Sequence, residues 1–334
     1  MPLSIHGTNG ITFNDGSIQA SRAAVGFRNR VYNGAFRIDQ RNAGAAQTFT
    51  AGAALAYCVD RFYGYCTGAN VTGQQVSVSS PNEFAYRFTG AASVTGIGFG
   101  TRLEATNTRD LAGSTATLSV ELANSVLTTV TWTMFYANSA DAFGTLASPT
   151  RTQIATGTFT VNSTLTRYST QVSIPSAATT GLEIVFTVGA QTSGTWTIDN
   201  VQLEAGSSAT DFERRPIGTE LALCQRYYAK TFPQNVAVAQ NAGVTGAMSS
   251  DYAYTNGAGA VANWSFPVVM RATPTVTSYN PTQSNSNWRN STNTADANRN
   301  FNSTVGDSSI SVRADTNTVS GVAYLIHLTA ESEL

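Results

Sequence analysis

Charge is scarce in this sequence. Aspartate, glutamate, lysine and arginine make up 12% of its 334 residues, against about 25% in an ordinary soluble chain, and the net charge is −1. A near-neutral surface builds no long-range field, so neither nucleic acid nor an anionic membrane is an expected partner. Lys230 is the only lysine; the other basic residues are arginines. Histidine is nearly absent: His6 and His327 stand at opposite ends, which leaves little for imidazole catalysis or a His-rich metal site. The cysteines Cys58, Cys66 and Cys224 suit neither a disulfide framework nor zinc, and the first two are too far apart for a C-x-x-C pair, so buried single thiols are expected. No apolar run approaches the length of a membrane helix, about 20 residues, so no membrane insertion is expected. The opening MPLSIHGTNGITF lacks the basic patch and apolar stretch of a secretory leader. No cofactor and no metal are expected.

Serine, threonine, asparagine, alanine and glycine take the place of charge, and strand follows strand. Residues 75–79, 116–122, 130–136 and 182–188 are rich in β-branched and aromatic side chains, several alternating with period two, and Gly, Asn, Pro and Ser clusters separate them. Helical spacing occurs only over 218–229, where Leu221, Cys224 and Tyr228 recur at i, i+3 and i+7 and Thr219 can act as N-cap. The fold class is therefore all-β with one short helix.

Length alone suggests two domains at about 150 residues each. The helix marks the join: upstream lie enough strands for a large two-sheet sandwich, and downstream a second set is expected over 235–240, 261–270, 275–279, 310–313 and 322–329. The chain divides into a lead-in (1–30), a jelly-roll sandwich (31–212), a linker with the helix (213–230) and a smaller terminal sandwich (231–334). In the lead-in, Ile11 and Phe13 alternate with polar residues before the turn Asn14-Asp15-Gly16, a miniature hairpin. Two strands are marginal alone, so this hairpin is expected to pack on copies of itself or on a host particle.

Several blocks carry a family resemblance. GITFNDGSIQ at 10–19 resembles the N-terminal motif of bacteriophage tail fibres and related virion appendages. NGAFRIDQR at 33–41 and YCVDRF at 57–62 look like the start of the carbohydrate-binding-module-like jelly roll of such fibres. WTIDNVQLE at 196–204, FERRP at 212–216 and ELALCQRYY at 220–228 resemble their recurrent join, and FPVVMRATPT at 266–275 with the final AESEL resembles their tip domains. The middles of both sandwiches, about residues 70–190 and 280–320, match only in character. The resemblance implies a homotrimeric tail fibre in the virion, assembled in the host cytoplasm. It would dock on a tail or baseplate protein through its N-terminus, with Ile11, Phe13, Asp15 and Gly16 in the attachment segment, and bind host surface polysaccharide through its distal part. Trimeric presentation multiplies weak single-site binding. The alternatives are a structural virion fibre that adsorbs to nothing (collar, neck or head decoration) and a glycan depolymerase. The 20 acidic residues sit largely in turns and joins, and no nucleophile elbow, P-loop or dinucleotide fingerprint is present, so binding rather than catalysis is expected.

Candidate sites follow from residue type. On the helix, Leu221, Leu223, Cys224, Tyr227 and Tyr228 cover more than one face, and the excess could meet two symmetry mates, with Arg214, Arg215 and Arg226 in intersubunit ion pairs; otherwise the helix packs between its two domains. The polar stretch 280–304 holds one tryptophan. An exposed Trp288 could stack on a sugar ring while Asn287, Arg289, Asn290, Tyr279 and Arg299 hold its hydroxyls; otherwise Trp288 plugs the base of the loop. The face formed by Val130, Trp132, Met134 and Tyr136 reads as core, and nothing singles out Tyr63 and Tyr65. In jelly rolls of this kind, Asn33 and Asp199 match positions near a structural calcium, but Arg37 stands where an acidic residue is usual.

Overall fold

The computed structural model describes residues 4–6, 10–12, 18–19, 27–79, 81–251, 260–292, 295–301 and 305–334. Two six-stranded antiparallel sheets form a jelly-roll sandwich. One has the order Thr166–Ser173, Thr115–Asn124, Thr195–Ala205, Phe84–Thr89, Val71–Ser77, Gln47–Phe49. The other runs Arg151–Thr160, Thr129–Ala137, Leu182–Val188, Gly96–Leu103, Phe62–Thr67, Ala56–Tyr57. Alternation assigns the faces: Val130, Trp132 and Met134 enter the core, as the period-two pattern requires, while Thr129, Thr131 and Thr133 do not. The core is strongly aromatic. Phe99 stacks on Tyr86 at 4.9 Å and on Phe62 at 5.1 Å, and Trp196 stacks on Phe88 at 5.6 Å, each ring contributing about 1.5–3 kcal/mol through burial.

The second strand set centres on Tyr324–Glu331. This strand pairs with Tyr228–Lys230, Met248–Ser249, Thr275–Tyr279 and Trp288–Asn290, and Asp296–Asn300, Ser309–Thr316 and Ala260–Ser265 continue the sheet. Its core includes Trp288, Met270, Ile310, Val312, Tyr324, Ile326 and Leu328.

Several sequence expectations shift. The helix spans Ile217–Gln225, its N-cap is Pro216, and Thr219 lies inside it. Tyr228 leaves helical spacing because its backbone joins a ladder opposite Glu331. Residues 235–240 form no strand: Val236 N–H bonds Pro233 in a turn and Val238 N–H bonds the Arg41 carbonyl, so the segment docks on the sandwich instead. Among the described residues of the lead-in are the short strands Ser4–His6, Gly10–Thr12 and Ile18–Gln19, with Ile11 opposite both Ile5 and Gln19. Phe13, Asp15 and Gly16 lie outside the described residues. Among the described residues no helix is long and apolar enough to cross a membrane.

Candidate functional site

The outward face of the second sheet gathers unlike chemistry. In Phe62–Thr67, Phe62 and Cys66 belong to the core, so Tyr63 and Tyr65 point the other way. The next strand buries Ile97 and Phe99 and sets Gly98 opposite Tyr65 and Gly100 opposite Tyr63. Without side chains there, both phenol rings lie down on the sheet. A Cβ on Gly98 would stand 2.1 Å from the Tyr65 ring, and one on Gly100 2.6 Å from the Tyr63 hydroxyl. Tyr63 is sealed, whereas Tyr65 stays partly exposed.

Beyond the glycines, register places Arg102 opposite Glu183 and Glu183 opposite Phe135. The fully buried Glu183 carboxylate accepts from Arg102 Nε at 2.8 Å, from the Tyr63 hydroxyl at 2.6 Å and from Arg151. Arg151 lies over the Phe135 ring, 4.1 Å from its centroid. Burial pushes the Tyr63 hydroxyl well above the usual phenol range against the opposing field of Arg102 and Arg151. It raises Tyr65 as well, with Arg151 opposing. Both phenols are therefore neutral donors. A flat, partly exposed ring with a guanidinium and the hydroxyls of Thr131, Thr133 and Thr187 on the same face suits a sugar, whose C–H face stacks while its hydroxyls take donors. Sequence reasoning passed over this face. Its signal was the G-I-G-F-G run at 96–100, a strand bare of side chains on one face, beside the Tyr63-Gly64-Tyr65 alternation.

The terminal-domain candidates do not converge. Trp288 has no exposed surface and is a central core residue, so its indole cannot stack on a sugar. The stretch 280–304 is not a bare loop: Trp288–Asn290 is a strand whose alternation sends Trp288 and Asn290 inward, with Asn290 Nδ2 3.4 Å from the Tyr324 hydroxyl. Arg289 pairs with Asp296 at 3.3 Å, and the Asn287 backbone closes a turn on Asn285. Tyr279 packs edge-on against Phe232, while Arg299 is exposed and covers Phe301.

The join is likewise committed within the chain. Arg215 is buried, pairs with Glu213 and Glu220 at 3.2 Å each, and donates to the carbonyls of Val31 and Asn29. Arg226 forms a two-nitrogen pair with Glu104, 3.0 Å for each bond, and Glu104 is held below the usual carboxylate range: burial raises its pKa, but the Arg226 hydrogen bond and charge outweigh that. Cys224 and Tyr228 are buried. These ion pairs are therefore intrachain, because the helix packs between the two strand sets. Arg214 is exposed and donates to Asn82. Leu221 and the exposed Ile217 border a surface pocket of about 360 Å³ with Ile38 and Phe84.

The calcium positions do not assemble a ligand set. Both ends of the Asn33 side chain are spent on the backbone of Ile38 and Asp60, and Arg37 pairs with Glu83. Among the described residues no three His, Cys, Asp or Glu side chains are grouped to hold a metal. Asp199 is buried with Oδ2 unpaired, and burial pushes its carboxyl up to about 8.

No protein-family model and no curated protein matches the chain. Among solved structures, 53% of it is similar to the enzymatically active domain of tailspike protein 4 of bacteriophage CBA120, at 16% identity and a TM-score of 0.32, spanning 21% of that chain. Over 54% it is similar to all (100%) of TmCBM61 in complex with β-1,4-galactotriose, at 11% identity and a TM-score of 0.34. Over 43% it is similar to 91% of the CBM22-2 xylan-binding domain of Paenibacillus barcinonensis Xyn10C, at 15% identity and a TM-score of 0.30.

Proposed function

We propose that the protein is a fibre-type appendage of a bacteriophage virion, attached through its N-terminal segment, that binds glycan on the host surface without cleaving it. The observation that carries the binding is the Tyr65 ring laid flat on Gly98 beside Arg151. The virion assignment rests on the ordered resemblance of the N-terminal, join and C-terminal blocks to tail fibres. Binding without cleavage is supported by Glu183, a carboxylate of this face whose two oxygens are already held by Arg102, Tyr63 and Arg151, which leaves it poorly placed to trade a proton with a glycosidic oxygen. The assembly is a homotrimer, for which the exposed Ile217 and the half-buried Leu221 supply apolar surface.

Purified protein on a glycan array should show saturable binding, and Tyr65→Ala should weaken it about tenfold, close to 1.4 kcal/mol. Binding indifferent to Tyr65→Ala would reject this face, and release of shortened oligosaccharide would favour the depolymerase. Light scattering that returned a monomer would refute the trimer.

A further inference from the structure

Residues 332–334 pack against the first sandwich. After Tyr324–Glu331, the Ser332 N–H bonds the Tyr227 carbonyl at 2.8 Å. Arg271 donates to the Ser332 carbonyl at 2.8 Å and to the Glu333 carbonyl at 3.1 Å. The Glu333 side chain is 4% exposed and pairs with Arg61 and, at 3.2 Å, with Arg41. Arg61 is itself 1% exposed and stacks on the Tyr227 ring, 3.3 Å from its centroid. Burial works against the charge on Arg61, yet the Glu333 carboxylate prevails and its pKa is raised. The Leu334 carbonyl accepts from the Tyr57 hydroxyl at 2.8 Å and from Arg102 Nη1 at 2.6 Å.

Arg102 is where this tail meets the candidate glycan face. Its Nη1 holds Leu334, its Nη2 holds the Gly144 carbonyl at 3.0 Å, and its Nε holds Glu183. Glu183 in turn receives Tyr63 and Arg151. Arg61 adds a second tie, donating from Nη2 to the Arg102 carbonyl at 2.5 Å. A planar guanidinium bonded along three edges has one orientation; releasing one edge frees it to turn and loosens what the others hold.

We propose that residues 332–334 are a strap in which Glu333 and Leu334 act as positioning residues for the sandwich face, through Arg61 and Arg102 to Glu183, Arg151 and Tyr63. The terminal strand set thereby fixes the geometry of this face from its edge, where Leu334 holds Arg102 and Tyr57. The ligand part of this inference rests on the glycan reading above; the positioning part does not.

The test uses the full chain with ¹³C-labelled tyrosine rings. Glu333→Gln, and separately deletion of residues 333–334, should shift the ring signals of Tyr63 and Tyr65, whose hydroxyls do not bond the tail. Both changes should weaken glycan binding by roughly tenfold, within the range usual for mutations in a coupled network. Arg271→Gln releases the strap backbone without altering the sandwich and keeps the test open if the first two variants misfold; it should shift the same signals by less. Unmoved Tyr63 and Tyr65 signals in a folded variant would overturn the proposal whatever the glycan result, and shifted signals with unchanged affinity in a glycan-binding parent would overturn its ligand part while supporting the positioning part. A parent protein that binds no glycan while its variants shift Tyr63 would sink the glycan reading and leave the positioning role supported.

Discussion

Asp199 offers the most quantitative check on the fold. Replacing it with asparagine keeps the shape of the side chain and removes its charge. The residue is fully buried, one of its oxygens has no partner, and its folded pKa is pushed up to about 8, first by burial and then by the charge of Glu121 in the adjacent strand, while the Asn200 backbone and Arg214 oppose the rise. An unfolded aspartate titrates near 3.9. The folded state thus keeps the proton longer than the unfolded one, so this group's contribution to stability is full below about pH 4 and falls as pH rises toward 8. A gap of about four units at 1.36 kcal/mol each sets a ceiling near 5 kcal/mol. Coupling to Glu121 and relaxation around the charge reduce this to an expected change of about 2 kcal/mol between pH 5 and pH 8. Denaturant unfolding of the parent protein and Asp199→Asn at both pH values measures it. The stability advantage of the variant over the parent should be larger at pH 8 than at pH 5. A parent protein that loses no stability between pH 5 and 8, or an Asp199→Asn variant with the same pH slope, would refute the reasoning and place the carboxylate in contact with water or a cation.

Trp288→Ala should destabilise the protein by about 3–5 kcal/mol, as deletion of a buried aromatic does; a denaturation midpoint within error of the parent would put the indole on the surface. Gly98→Ala should displace the Tyr65 ring, since the added Cβ would fall 2.1 Å from it, with loss of glycan binding and a destabilisation of about 1–3 kcal/mol. Unaltered glycan affinity would show that the flat ring is not the platform. The three cysteines are buried, and burial lifts Cys58 to about 12 and raises Cys224 well above the usual thiol range. A thiol reagent should therefore titrate none of them until the protein unfolds, and fast labelling of any one in the native state would contradict that packing.

The elements most legible in the sequence were those set by local chemistry. Alternation of Val130, Trp132 and Met134 with threonine decides which face of their strand is buried before any partner is known, because successive side chains leave a strand on opposite sides. The strand Leu182–Val188 and the short helix near 217–225 are likewise written in β-branched content and in a 3.6-residue period. The candidate site was much less legible. Trp288 in its field of asparagine and serine looks like a surface residue, yet pairing with Tyr324–Glu331 draws it into the core. Tyr63 and Tyr65 have no local mark of function. They become a surface only when the strand carrying Gly98 and Gly100 lies beside theirs, and when Glu183 and Arg151, distant in the chain, arrive beneath them.

The sequence by itself determined that this protein would be built of strands, with hydroxyl and amide groups where most proteins carry charge. Tertiary structure decided where its few charges went. Arg215 reads as an intersubunit residue, and nothing local marks Arg41, Arg61 or Arg102 for burial, since ionised side chains are costly to bury alone. Each is instead buried or nearly so against a carboxylate, close in sequence for Arg215 and from another part of the chain for Arg41, Arg61 and Arg102. Such pairings join residues up to 292 positions apart, a separation at which no local pattern can reveal a partner, and only the closed fold supplies the neutralising charge that makes the burial affordable.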